Sequence, residues 1–308
     1  MPKFGIIGDP VRGSLSPRMF PVAFGGRYGY DLIEGSDFER SWERFLAEYR
    51  AVNVTAPFKE AAFRRVRELA VAGKGEISGP AFRIGATNLL LKRDDGIVEA
   101  HNSDFTGVVL SLAEHYFPGV IAACLKEFGA RFHVKVHQYA RLHLRQLYPE
   151  RPQALVIGCG GAGRAAAVAA AELGFETALM NRTPERAQRI ADELPEYGFL
   201  CVPMSDLPGA VRECDLVIYT VPEPVPALAA LSADVFAGEG SVPKVILEAN
   251  YKTPSFSGDI AARMAYGGAE YVSGRDWWFY QAVTGYGIMA GEPCDIAAMA
   301  KFLQEISA

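Results

Sequence analysis

Ala154-Leu155-Val156-Ile157-Gly158-Cys159-Gly160-Gly161-Ala162-Gly163-Arg164 decides the reading of this chain. Four apolar residues make the kind of run a buried strand needs, and Gly158-x-Gly160-x-x-Gly163 follows at once, opening an alanine-rich helical segment. A dinucleotide fingerprint requires that context. Glycines permit the tight turn and the close approach of backbone to ligand, and the helix amino terminus offers unpaired N–H groups and a positive dipole end to a pyrophosphate. A glycine-rich turn without a ligand is the plainer alternative, and the strand and helix on either side weigh against it.

The end of the next strand, near Met180, specifies the cofactor. An NAD site usually carries Asp or Glu there for the ribose hydroxyls. This chain has Asn181, Arg182 and Thr183, with Arg186 one helical turn on. Two guanidiniums and a hydroxyl suit a 2′-phosphate that a carboxylate would repel. The cofactor-binding set is therefore Gly158, Gly160, Gly161, Ala162, Gly163, Asn181, Arg182, Thr183 and Arg186, and the cofactor is NADP. Arginines at a helix start are often ordinary surface charges, but these stand where the cofactor chemistry needs them.

Outward from this turn, strand-like runs at 176–180, 199–202, 215–220, 245–249 and 269–272 alternate with helical or turn segments, the doubly wound pattern. Before it, runs at 3–8, 30–34, 51–55, 86–91 and 97–100 predict a second α/β unit with a largely parallel sheet covered on both faces. Ser16-Pro17 is expected to cap and open a helix, 38–48 to be amphipathic, and Pro57 to open a helix through Leu69. Between the units, 118–152 is rich in Arg, His and Tyr, helical from Phe132 to Leu147, and without a strand. After residue 272 the chain turns helical to its end.

In the first unit, Asn53-Val54-Thr55-Ala56-Pro57-Phe58-Lys59 ends a strand in polar groups and sets Lys59 in the first turn of a helix. A lysine there opposes the helix dipole, so a functional role gains weight. Gly85-Ala86-Thr87-Asn88 and His101-Asn102-Ser103-Asp104 likewise put amides and a carboxylate at strand ends. Asp104 alone reads as a helix N-cap.

Taken together, Gly8-Asp9-Pro10 with Ser14-Leu15-Ser16-Pro17, NVTAPFK, GATN, HNSDFTG, GCGGAGRA, NRT and Tyr251-Lys252-Thr253-Pro254 resemble the shikimate dehydrogenase family. So does the tail with Gln281, Thr284-Gly285 and Gly291-Glu292-Pro293. The resemblance implies an α/β fold: an N-terminal substrate-binding catalytic domain (1–107 and 273–308) and a Rossmann NADP-binding domain (108–272, extended at 118–152), with C-terminal helices returning to the first. It implies reversible reduction of 3-dehydroshikimate to shikimate in aromatic amino acid biosynthesis, the chorismate pathway. Lys59 and Asp104 match the catalytic pair, and Ser14 and Ser16 the hydroxyls that hold the substrate carboxylate. Thr55, Asn88 and Gln281 match ligands of the ring hydroxyls, and Tyr251 a residue near carboxylate and nicotinamide. Two positions depart from the family pattern: Gly13 stands where histidine is usual, and Leu89 where a small polar residue is. Both lie beside substrate positions, which leaves a quinate/shikimate-type enzyme open. A non-catalytic NADP-binding sensor is the alternative from another class, and the retained lysine and aspartate weigh against it.

The net charge of −5 gives no basic surplus for nucleic acid. The longest apolar run is too short to span a membrane. Five dispersed cysteines without a Cys-x-x-Cys pair read as reduced thiols of a cytoplasmic protein. His133 and His137 are spaced for one helix face, but no acidic or cysteine partner is near, so no metal is expected. Self-association as a homodimer is the expected role of 118–152.

Overall fold

The computed structural model describes residues 1–238 and 242–306. It contains two compact units, Met1–Asp104 with Gln281–Ala308, and Phe105–Tyr280. Each is built on its own six-stranded sheet.

The first unit runs β1 (Phe4–Gly8), α1 (Ser16–Ala23), β2 (Asp31–Glu34), α2 (Phe38–Glu48), β3 (Ala51–Val54), α3 (Lys59–Val71), β4 (Gly75–Ile77), α4 (Gly79–Ile84), β5 (Leu89–Lys92) and β6 (Val98–His101). Helix α5 (Ser103–Tyr116) starts here and continues into the second unit. The sheet order is β2-β1-β3-β5-β6-β4. Strands β2, β1 and β3 pair in parallel, as do β4 and β6, but β5 is antiparallel to both its neighbours. The sheet is largely parallel as expected, with β5 its one reversed strand. The Asp94-Asp95-Gly96 turn is a tight hairpin, with Gly96 at φ +85° and Arg93 N–H bonded to the Ile97 carbonyl at 2.9 Å, and so short a link can join only antiparallel strands.

Other boundaries also differ. Ser16 does not cap α1; it is the first helical residue, and Leu15 is the N-cap without a side-chain bond. Pro57 does not open α3, which starts two residues on at Lys59. The short β4 and α4 had no counterpart in the sequence pattern. Helix α2 does follow its amphipathic reading: Trp42 and Phe45 face the core, and Asp37 accepts from the amides of Glu39 and Arg40 at 2.9 and 3.3 Å. Such a cap contributes about 1 kcal/mol. The core on this side of the sheet joins Ile7, Val52 and Val54 to Trp42, Phe45, Phe58 and Val66.

The second unit adds α6 (Val120–Phe128), α7 (Phe132–Leu147), β7 (Gln153–Ile157), α8 (Gly161–Glu172), β8 (Glu176–Met180), α9 (Pro184–Glu193), β9 (Leu200–Val202), α10 (Leu207–Glu213), β10 (Leu216–Tyr219), α11 (Pro226–Ala229), β11 (Val245–Glu248), α12 (Gly258–Tyr266) and β12 (Glu270–Val272). Its sheet is parallel throughout, ordered β12-β11-β10-β7-β8-β9. The order reverses beside β7, so the glycine turn lies at the topological switch point, where such sheets bind ligands. Residues Gly163 to Ala170 of α8 are all buried, and apart from Arg164 and Val168 they are glycine and alanine, which lets the helix lie close to the sheet.

The 118–152 segment is an antiparallel pair. Helix α7 has the predicted bounds, with Phe132, Val136, Ala140 and Leu144 on its inner face. Helix α6 was not predicted. His137 packs edge-on against Phe105 at 5.4 Å and lies 3.8 Å from Glu172. An apolar trough between the two helices has a volume of about 720 Å³ and is lined by Phe117, Val120, Phe128, Tyr139 and Leu142. Helix α13 (Gly274–Ala290) ends in the first unit, and α14 (Ile296–Glu305) packs there against α1, with Arg18 over the Phe302 ring at 5.2 Å. Among the described residues no single helix is long and apolar enough to cross a membrane.

Candidate functional site

The three glycines of the β7–α8 turn serve different physical ends. Gly158 holds φ +100°, and a Cβ there would come within 2.6 Å of Thr220 Oγ1. At Gly163 a Cβ would stand 1.8 Å from the Gly158 carbonyl oxygen, so no side chain fits while helix and strand stay this close. Gly160, the N-cap of α8, has nothing within 4 Å of its would-be Cβ. That open, exposed position leaves room for a ligand against the amides of Gly161 and Ala162, which have no partner inside the helix. Gly163→Ala is expected to lower Tm and to abolish NADP binding, because a backbone clash of that size has to shift the turn itself. Equal NADP affinity in the variant, by fluorescence titration, would refute this.

Asn181 braces the turn. Its Oδ1 accepts from the Cys159 amide at 3.0 Å and its Nδ2 donates to the Thr183 carbonyl at 2.9 Å, tying the end of β7 to the end of β8. Thr183 is the N-cap of α9 but spends no side-chain bond on it, so the hydroxyl stays available. Arg182 and Arg186 are exposed, and neither has an ion-pair partner among the described residues. Burial pushes the Cys159 thiol up to about 12, with the Arg186 charge pulling the other way. Arg164 turns away instead and pairs with Glu193 at 2.5 Å. Thr220, at the end of β10, was missed by the sequence reading. Its hydroxyl holds the carbonyls of Ile157 and Gly158 at 3.1 and 3.0 Å, and its signal was its place after a third strand at the same sheet edge.

Tyr251 follows β11 in a pinned loop. Glu248, fully buried, accepts from the amides of Ser255 and Phe256 and from the Tyr271 hydroxyl. Asn250 donates to the carbonyls of Pro222 and Thr253. The Tyr251 ring lies against Trp278 at 5.5 Å between centroids.

In the first unit, Lys59 and Asp104 meet across 45 residues of sequence, Nζ to Oδ2 at 2.5 Å, with side chains only 13% and 8% exposed. Asp104 thus sits in the first turn of α5 facing a cation, which its N-cap reading did not anticipate. Thr55 follows β3, and its approach depends on Gly8: a Cβ on that glycine would be 2.2 Å from Thr55 Cγ2. Ser14 Oγ accepts from the Ser16 amide at 3.2 Å. Asn88, 2% exposed, donates through Nδ2 to Ser103 Oγ at 3.0 Å and to Gln281 Oε1 at 3.1 Å. The structure thus joins Asn88 to Gln281 and Lys59 to Asp104. It adds Ser103 and Asn53, both quoted in motifs without a role, and Tyr30, whose hydroxyl donates to Asn53 Oδ1 at 2.6 Å and which carried no signal in sequence.

Residues 142–234 match the family described as shikimate / quinate 5-dehydrogenase. A shikimate dehydrogenase (NADP(+)) of Thermus thermophilus is 31% identical over 257 residues, 78% of this chain and 76% of that relative. The chain belongs to the shikimate dehydrogenase family. The shikimate dehydrogenase (NADP(+)) of Xylella fastidiosa strain 9a5c is 34% identical over 204 residues, and the match spans only 58% of its length. Among solved structures, shikimate 5-dehydrogenase from Thermus thermophilus in complex with NADP(H) and shikimate aligns over 99% of both chains, with 26% identity and a TM-score of 0.67. Family membership accounts for the two-unit α/β architecture.

Proposed function

We propose that this shikimate dehydrogenase family member reversibly reduces 3-dehydroshikimate to shikimate with NADPH, in aromatic amino acid biosynthesis. The observation that carries the reading is the Lys59–Asp104 pair, an enclosed cation held by a carboxylate. NADPH, when bound, supplies the hydride. Lys59 meets the negative charge that forms on the reduced ketone oxygen and gives it a proton, and Asp104 orients the ammonium and takes part in its reprotonation. Ser14 and Ser16 hold the substrate carboxylate, Thr55, Asn88 and Gln281 the ring hydroxyls, and Tyr251 takes the role of the family's residue for carboxylate and nicotinamide. Gly158 to Gly163, with the α8 amides, hold the pyrophosphate, while Asn181, Thr183, Arg182 and Arg186 form the 2′-phosphate end. The NADP preference is supported by the two unpaired guanidiniums and the absence of a carboxylate at residue 181.

Initial rates with shikimate and quinate, each with NADP and NAD, test the reading. Shikimate with NADP is expected to be fastest. Faster turnover of quinate would assign the substrate the other way, and tight NADP binding without turnover of either would favour a sensor.

The five cysteines are unpaired and Cys201 is exposed, which supports a reducing, cytoplasmic setting. A homodimer is supported by charge. Residues 118–152 hold six Lys/Arg against Glu127 and Glu150, leaving 25 basic and 34 acidic residues elsewhere. Basic α7 also exposes Tyr139 and Leu142, at 39% and 63%. The expected result is a dimer by light scattering that Leu142→Glu shifts to monomer; an unchanged mass would overturn it.

A further inference from the structure

We propose that Ser103 is a positioning residue that, through Asn88, sets the polarity of the ring-hydroxyl subsite, so that Asn88 offers an acceptor and Gln281 a donor. The inference rests on the proposed reading that Asn88 and Gln281 meet a polyhydroxy cyclohexane carboxylate.

The argument begins with the Asn88 amide. Its Oδ1 accepts from the Ser103 backbone N–H at 2.8 Å, a donor that cannot be anything else. That bond decides which end of the amide is oxygen. Both Nδ2 protons are then committed, one to Ser103 Oγ at 3.0 Å and one to Gln281 Oε1 at 3.1 Å. Asn88 has no proton left to give, and its Oδ1, which the Ser103 hydroxyl also approaches at 3.4 Å, can only accept. With one lone pair of its oxygen taken by Asn88, Gln281 keeps Nε2 as its donor end. A substrate hydroxyl fits this pair because it can donate to one amide and accept from the other. A carbonyl or ether oxygen can accept from Gln281 but brings no proton to Asn88 Oδ1.

Three features hold the relay in place. Ser103 is 2% exposed and opens α5, next to Asp104. A Cβ on Gly285 would stand 3.0 Å from Ser103 Oγ, so that glycine leaves the hydroxyl its room. On the other side, Asn53 Nδ2 donates to the Asn88 carbonyl at 3.2 Å, and Asn53 is itself set by Tyr30. Burial holds the Tyr30 hydroxyl well above its ordinary value, so it stays a donor across the working pH range.

Ser103→Ala removes the acceptor for one Asn88 proton and loosens the amide, while the backbone N–H bond to its Oδ1 remains. The expected result is a rise of about ten-fold in the KM for shikimate, with kcat and the KM for NADP unchanged within a factor of about two. Ser103→Thr, which keeps the hydroxyl, should restore KM. In a Gln281→Ala background the alanine change should add little, because the group it positions is gone. Equal effects in both backgrounds, or a loss confined to Tm, would overturn the relay. If Ser103→Ala does not fold, Ser103→Cys, nearly isosteric with a poor acceptor, is read in its place. If wild-type protein turns over neither shikimate nor quinate, the functional reading fails by itself; an active wild type whose KM ignores Ser103→Ala refutes the relay alone.

Discussion

Lys59→Ala is expected to lower kcat by about 10²- to 10⁴-fold while leaving NADP affinity unchanged. The lysine is the group in this pair that can both stabilise an alkoxide and protonate it. Alanine offers neither, and solvent has to replace an oriented acid. A stability effect accompanies the kinetic one. The variant leaves the Asp104 carboxylate, 8% exposed, without its counter-charge, and breaking an enclosed pair costs about 3–5 kcal/mol. The measurement is therefore a pair of titrations on protein shown to be folded: steady-state rate with shikimate, and NADP binding by fluorescence. An unchanged rate would remove Lys59 from the mechanism; lost NADP binding in the folded variant would show that its effect is not confined to the chemical step.

The second large effect belongs to the cofactor. Arg182→Ala with Arg186→Ala is expected to raise the KM for NADP by about 10²- to 10³-fold and to move that for NAD by only a few-fold. A hydrogen bond to a charged group contributes about 1.5–3 kcal/mol, and exposure of both guanidiniums places these toward the lower end. Because the contact is electrostatic, added salt should raise the wild-type KM for NADP more than that for NAD. Parallel losses with both cofactors would mean that the arginines support the turn and do not read the 2′-phosphate.

How far the sequence spoke depended on whether the deciding interaction was local. The strand–glycine–helix signature from Ala154 to Gly163 is local, and its strand, turn and helix lie where the motif predicts them. Helix α7 was legible because its buried residues recur every four positions. The three-residue β4 has no such period, and it exists only because β6 pairs with it. The antiparallel β5 had a visible turn signal, but its direction had to be set against β3 as well as β6.

The candidate site divides the same way. Residue types at strand ends marked Lys59, Asp104, Asn88 and the two arginines before any coordinates were needed, because chemistry restricts which side chains can do such work. Apart from the Lys59–Asp104 pair, which the resemblance implied, the motifs named those residues singly, without their contacts. That Asp104 faces Lys59, that Asn181 spends its amide bracing a backbone turn, and that Asn88 has both protons committed to Ser103 and Gln281 are facts of tertiary structure. Sequence by itself determined the glycine turn and the candidate chemistry, since backbone sterics and functional groups belong to each residue. Only the folded chain decided polarity and pairing, because a hydrogen bond between residues 88 and 281 depends on orientations that no local pattern contains.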